Sequence, residues 1–251
     1  MKLLTALLII CSVTVFAQEN TKQQMDKLKG KVKVVTEQEY RIGNMPLIRS
    51  RHLDNRIIYR YDKNGNETDA VSYLKKGRLD YKIVSKYDEK NRLTESILYS
   101  SETVPGIPDT RSVYKYDDKD NQTEMNDYNA HGSLVKKHIF RYDDKGNQVV
   151  FLSYNADSSM EYRSVNKFDP AGNKTGEEYY DAKDSLEFKI EFKYDAQGRE
   201  VEQEYYGPKG DLAFKLTYEY NDIDKQGNWL KETVYENGRI EVINKREIEY
   251  Y

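Results

Sequence analysis

The chain predicts an all-β fold, a long, twisted and curling antiparallel β-meander of two-strand repeats about 26 residues long. Three observations predict it. An aromatic residue opening a turn recurs at Tyr61, Tyr87, Tyr116, Tyr142, Phe168, Tyr194 and Tyr220, at intervals of 26, 29, 26, 26, 26 and 26. A second column follows 12 residues behind the first, at Tyr73, Tyr99, Tyr128, Tyr154, Tyr180 and Tyr206. Between the columns hydrophobicity alternates with period two. In "LEFKIEFKY", Leu186, Phe188, Ile190, Phe192 and Tyr194 share one face, and Glu187, Lys189, Glu191 and Lys193 the other. That is the pattern of a half-buried antiparallel strand.

The first element is not part of the fold. Lys2, the apolar run from Leu3 to Phe16 and the small-residue pattern before Ala17 predict a secretory signal peptide over 1–17. The run is short for a membrane span. Cys11 follows Ile9 and Ile10, not the small residues of a lipid-attachment signal. Cys11 is the only cysteine, so cutting after Ala17 leaves no thiol, disulfide or cysteine metal site. Residues 18–29 form a lead segment and 30–251 a single repeat domain.

Lys and Arg number 40 against 43 Asp and Glu. This gives no basic footprint for nucleic acid. No later run is long and apolar enough for a helical span, so no membrane span is expected after signal removal. Charged residues make up 33% of the chain, yet 23 tyrosines and alternating Val and Ile argue for a folded domain with a thin core.

A leading strand pair around "KVKVVTEQEY" and "RIIYRY" precedes the repeats. Each repeat then reads strand, turn, strand, turn. Asp62, Asp88, Asp117, Asp143, Asp169 and Asp195 follow the first-column aromatic, and Gly65, Gly146, Gly172 and Gly198 close the four-residue turn. Asp first and a positive-φ glycine fourth is type I turn chemistry. Asn91 and Asp120 stand where a glycine is expected, Asn221 replaces the Asp, and the turn ending at Gly227 is three residues longer. The stretch 100–110, with Pro105 and Pro108, is an expanded second turn.

Alternate strands such as "NQTEMNDY", "NKTGEEYY" and "REVEQEYY" are polar on nearly both sides. About sixteen strands spaced about 4.8 Å apart make a sheet about 65–75 Å long. A sheet of that length twists and curls. The first strand and the terminal "EIEYY" are expected to be open edges, available for edge-to-edge self-association.

The recurring Tyr-Asp-x-x-Gly-Asn turn, its second tyrosine and the Lys-Tyr-Asp that follows resemble the YD repeat of bacterial Rhs proteins and teneurins. The likeness spans about 61–250. It implies an open sheet spiralling into a shell-like surface. No toxin domain or self-cleaving region is recognisable, which argues against cargo encapsulation.

Functional candidates are few. "DKNGN" and "DDKGN" look like fragments of calcium loops, but Lys63, Lys119 and Lys145 sit where a cation would be unwelcome, so no metal site is nominated. The histidines are His52, His131 and His138, with His138 in the strand slot filled elsewhere by Ile190 and Leu216. No catalytic grouping converges and no cofactor motif is present, so an enzyme is not expected. The tyrosine rows either cover a thin sheet or form an aromatic platform for sugar or peptide. The candidate ligand surface is Trp229 with Tyr73, Tyr99, Tyr128, Tyr154, Tyr180 and Tyr206. A membrane β-barrel is disfavoured because a lipid-facing band must be apolar on every strand. The sequence is best read as an exported, non-enzymatic binding or adhesion protein of the periplasm or cell surface. Its expected partner is a glycan, an envelope polymer or a protein. The competing reading is a periplasmic inhibitor or immunity-type protein that masks one specific partner.

Overall fold

A computed structural model describes residues 28–42, 51–102, 104 and 106–251, with backbone alone for Arg51 and His52. The expected signal peptide and most of the lead segment lie outside these residues. Sixteen strands follow in order: β1 (Val32–Ile42), β2 (Arg51–Tyr61), β3 (Glu67–Leu74), β4 (Leu79–Tyr87), β5 (Leu93–Ser100), β6 (Thr110–Tyr116), β7 (Gln122–Asn129) and β8 (Leu134–Tyr142). The second half is β9 (Gln148–Asn155), β10 (Met160–Phe168), β11 (Lys174–Asp181), β12 (Leu186–Tyr194), β13 (Glu200–Tyr206), β14 (Leu212–Ile223), β15 (Trp229–Glu236) and β16 (Arg239–Tyr250). One short 3-10 turn, Lys75–Gly77, lies between β3 and β4. Among the described residues no helix is long and apolar enough to cross a membrane.

Each strand pairs antiparallel with its sequence neighbours, as the meander predicts. The open sheet is overturned: β1 also pairs with β16, from Val32↔Tyr250 to Arg41↔Val242, and the sheet closes into a barrel. The two strands expected to be open edges satisfy each other, which removes the edge that self-association would have used. Local geometry drives the curl. Register shifts sit beside the turns, at Arg60/Tyr61, Lys86/Tyr87, Lys115/Tyr116, Arg141/Tyr142, Lys167/Phe168 and Lys193/Tyr194. Each such bulge bends its strand and adds right-handed twist. Repeated around sixteen strands, that bending brings the last strand back to the first.

The turns behave as their residues dictate. Asp62 N donates to Asn66 O at 2.8 Å and Gly65 N to Asp62 O at 3.1 Å, with Gly65 at φ +89°. Asp62 Oδ1 accepts from Asn64 N and Asn66 N at 2.8 and 3.0 Å. This is a type I turn closed by a left-handed bulge residue. Asn91 and Asp120 take the same left-handed conformation at φ 60° and 63°, which Asn and Asp tolerate best after glycine. The longer turn keeps the same chemistry displaced by three residues. Strand β14 runs on to Ile223, and Asp224 with Gly227 forms the turn where Asn221 had looked like a lost Asp.

An up-and-down barrel has two mouths. The Asp-led turns after β2, β4, β6, β8, β10, β12 and β14 crowd one, and we call it the aspartate mouth. The connections after β3, β5, β7, β9, β11, β13 and β15, including the 100–110 insertion, form the other, the hairpin mouth.

Candidate functional site

Strand alternation sorts side chains into an inner and an outer set, and the two tyrosine columns fall on opposite faces. The first column points inward beside the aspartate mouth. Tyr87, Tyr116, Tyr142, Tyr194 and Tyr220 donate their hydroxyls to the backbone carbonyls of Glu67, Leu93, Gln122, Lys174 and Glu200 at 2.8–2.9 Å. Each bond pinches the open end of a hairpin whose turn lies at the opposite mouth. Phe168 has no hydroxyl, and in its repeat Asn166 Nδ2 supplies the bond to Gln148 O at 2.9 Å. Burial raises the phenol pKa of Tyr116 and Tyr142 to about 12. The closure has its own version, in which Tyr251 OH donates to Tyr61 O at 2.6 Å.

The second column points outward, and each of its tyrosines faces a basic residue on the preceding strand. The pairs are Tyr73 with Arg56, Tyr99 with Lys82, Tyr128 with Arg111, Tyr154 with Lys137, Tyr180 with Arg163 and Tyr206 with Lys189. The cation stands over the ring of Tyr73 at 4.9 Å, of Tyr180 at 3.7 Å and of Tyr206 at 4.7 Å. Around these rings run charge ladders. Glu95 takes Lys86 and Arg111 at 2.5 Å, and Glu124 takes Lys115 at 2.6 Å and Lys137 at 2.8 Å. Although desolvation opposes it, the hydrogen bonds from Lys115, Lys137 and Asn126 hold Glu124 at about 2. A wall dressed in this way suits water and would be costly in lipid.

The inner face is aromatic. Tyr179 stacks on Phe188 and Tyr205 on Phe214, each pair with centroids 4.2 Å apart. Phe151 meets Phe140, Tyr162 and His138 at 5.3–5.5 Å. These rings do not close into a dry core. The largest side chains below 2% exposure are only Ser72, Ser112 and Ser153, while Phe151, Phe188, Phe214 and Leu216 keep an intermediate exposure. Substantial strand contacts run between hydrogen-bonded neighbours. Sixteen strands put the barrel in the size class in which porin-type barrels hold a wet channel. The inner wall is thus an aromatic lining in which Phe140, Phe192 and Trp229 are buried and Phe151, Phe188 and Phe214 stay partly exposed.

One polar patch interrupts that lining. Tyr162, Phe188 and Phe214 occupy successive inner positions on β10, β12 and β14, and on β8 the equivalent residue is Lys136. Lys136 Nζ reaches Glu161 at 2.5 Å, and Ser153 Oγ donates to Glu161 at 2.9 Å. Beside them Ser112 Oγ donates to Asp127 at 2.6 Å, and His138 Nε2 lies 3.1 Å from the other oxygen of Asp127. His138 is 6% exposed, and its Nδ1 makes no hydrogen bond. The serine touches the carboxylate and not the imidazole, so the order of groups is not that of a nucleophile activated by a base.

A second polar group lies at the seam, where β1 meets β16. Arg246 Nε binds Glu37 at 2.8 Å, and its guanidinium covers the Trp229 ring at 3.5 Å. Asn244 Nδ2 donates to Glu232 at 2.7 Å, and Tyr220 flanks Trp229 at 5.9 Å. Trp229 is thus an inner, lumen-side residue, on the opposite face from Tyr73, Tyr99, Tyr128, Tyr154, Tyr180 and Tyr206. His131 stays in its exposed turn and His52 in β2. Among the described residues no group of three metal-ligating side chains converges.

Sequence reasoning placed His138 in an apolar slot and overlooked its partners. The available signal was columnar. Asp127 stands immediately before a second-column tyrosine, where other repeats have Ser72, Leu98, Ser153, Tyr179 and Tyr205.

No protein-family model matches the chain, and no curated protein matches it. Among solved structures, it is similar to a porin-like protein from Bacteroides uniformis, with a TM-score of 0.57 at 10% identity over 88% of this chain and 99% of that one. A porin-like protein from Bacteroides vulgatus gives 0.41 at 11% identity over 88% and 98%. A putative outer membrane lipoprotein-sorting protein domain from Vibrio parahaemolyticus gives 0.34 at 12% identity over 93% and 90%. The likeness to the Bacteroides uniformis protein, at 10% identity, is one of fold alone. Together with the β1–β16 closure, it replaces the resemblance to Rhs and teneurin YD repeats: the repeated turn builds a closed ring, not an open spiralling shell.

Proposed function

We propose that the protein is an exported, non-catalytic binding protein that holds its ligand inside the barrel. The observation that carries this is the partly exposed aromatic lining broken by the Lys136–Glu161 and His138–Asp127 pairs. Large rings facing water within a ring of strands offer stacking area, and a local set of charged hydrogen-bonding groups fixes orientation. An elongated glycan or envelope polymer suits both features, because sugar faces stack on aromatic rings while hydroxyls bond to Lys, Asp and Glu. Export rests on the N-terminal segment 1–17. The outer tyrosines support this reading from the other side, since Arg and Lys already occupy their ring faces.

Glycan binding tests it, read by fluorescence of Trp229, the only tryptophan, and by direct titration. Lys136→Ala and Phe151→Ala in the lumen should weaken a bound oligosaccharide about tenfold or more, while Tyr180→Ala and Tyr206→Ala on the outer face leave it unchanged. The reverse pattern moves the site to the outer wall. Silence on glycans with one protein recovered by pull-down replaces this reading with the inhibitor.

A further inference from the structure

The two mouths of the barrel differ in a way that the lumen does not require. At the aspartate mouth the seven turns hold eleven Asp and Glu against seven Lys and Arg. The Asp carboxylates there accept backbone N–H groups, as at Asp62, Asp143 and Asp169. Lys29 and Lys31 of the entering chain also lie at this mouth, and the acids still outnumber the bases.

The hairpin mouth is built otherwise. Among the described residues, the large apolar side chains left exposed are mostly here: Leu79, Val104, Ile107, Leu134, Val135 and Leu212, from 36% to 63% exposed. Leu79, Leu134 and Leu212 each open a strand just after a turn, and Val104 and Ile107 belong to the 100–110 insertion. Exposed cations stand among them, with Lys76 and Arg78 beside Leu79 and Lys209 beside Leu212. The described turns at this mouth carry five acids against five basic residues, Lys75, Lys76, Arg78, Lys183 and Lys209, so they lack the acidic excess of the other mouth. Three are already engaged: Asp109 by Ser100 N, Asp157 by Ser159 and Asp184 by Arg163.

We propose that the hairpin mouth docks onto an anionic lipid surface. Aliphatic side chains on protruding turns would sink into the headgroup and acyl boundary, and Lys76, Arg78, Lys183 and Lys209 would meet lipid phosphate. The acidic opposite mouth is repelled by the same surface, so charge alone orients the barrel with its hairpin mouth down. An acidic protein partner would also meet the cations, but it would leave the opposite charge of the far mouth without effect on orientation. The docking surface does not depend on what the lumen holds.

The test uses the chain from residue 18, which keeps the whole barrel and removes the apolar N-terminus that would bind lipid by itself. Sedimentation with phosphatidylglycerol/phosphatidylethanolamine vesicles should capture it, phosphatidylcholine vesicles should not, and about 0.5 M salt should weaken capture. The pair Val104→Asp and Ile107→Asp should lower capture by about tenfold. Ile223→Asp, at an exposed apolar residue of the aspartate mouth, should leave it unchanged. Lys76→Glu with Arg78→Glu should lower capture through charge alone and decides the matter if the apolar variant does not fold. Failure of the unaltered chain to sediment with anionic vesicles overturns the proposal. So does equal loss in Ile223→Asp and the hairpin-mouth variants, or capture of a protein with none of lipid.

Discussion

The two tyrosine columns are twelve residues apart in every repeat and have opposite uses. The inner column joins strands: Tyr142 spends its hydroxyl on the Gln122 carbonyl and lies where burial raises its pKa to about 12. The outer column shields charge. Tyr180 lies under the Arg163 guanidinium and donates to Glu178 at 2.8 Å, on the outer wall. Residue identity therefore says little about role here, and the parity of the position relative to the turn says nearly everything.

The comparison breaks most visibly at extremes of pH. An inner phenol whose folded pKa is raised contributes stability that is complete below about 10 and lost as pH climbs toward 12. An outer carboxylate held low, such as Glu124 at about 2, contributes stability present above about 4.5 and lost as pH falls. Circular dichroism against pH should show alkaline unfolding that Tyr116→Phe with Tyr142→Phe shifts upward. It should also show a salt-sensitive acid limb that Glu124→Gln alters, and neither change should move the other limb.

Truncation gives the next largest contrast. Tyr142→Ala opens a gap on the inner wall and should cost about 3 kcal/mol in chemical denaturation. Tyr180→Ala, on the outer wall, should cost less than about 1 kcal/mol. Removing a single bond sharpens the argument further. Tyr142→Phe should cost about 1 kcal/mol. Asn166→Ala should cost a similar amount although no tyrosine changes, because Asn166 makes the bond that Phe168 cannot. A double variant in which Phe168→Tyr restores the lost stability would confirm the exchange, and no recovery would refute it. Tyr180→Phe is the smallest effect, within about 0.5 kcal/mol of none.

Much of this was legible in the sequence. The strand number, the leading pair, the turn chemistry and both columns follow from local spacing, because hairpin pairing is decided by residues close in the chain. Closure was not legible. It depends on Val35 meeting Ile248 and Glu37 meeting Arg246, pairs more than two hundred residues apart that no period announces. The polar strands misled for the same reason. "NKTGEEYY" looks wet on both sides, yet Glu177 lies buried on the inner wall beside Lys174, a placement that makes sense only once the wall has an inside. The candidate site was half visible. His138 stood out in its column, but Asp127 reaches its neighbourhood from β7 and Glu161 from β10, across β9, and only the register joins them.

Tyr251 N donates to Lys31 O at 2.9 Å, so the two termini of the barrel domain stand one peptide step apart. A polymer whose ends meet has no privileged starting point. Ligating 251 to 31 through a brief linker and cutting anew inside 100–110 should yield a permuted molecule with the same circular dichroism. The hoop also has a fixed circumference, which makes the number of repeats a quantised trait: gaining or losing one would force every crossing angle around the hoop to readjust at once.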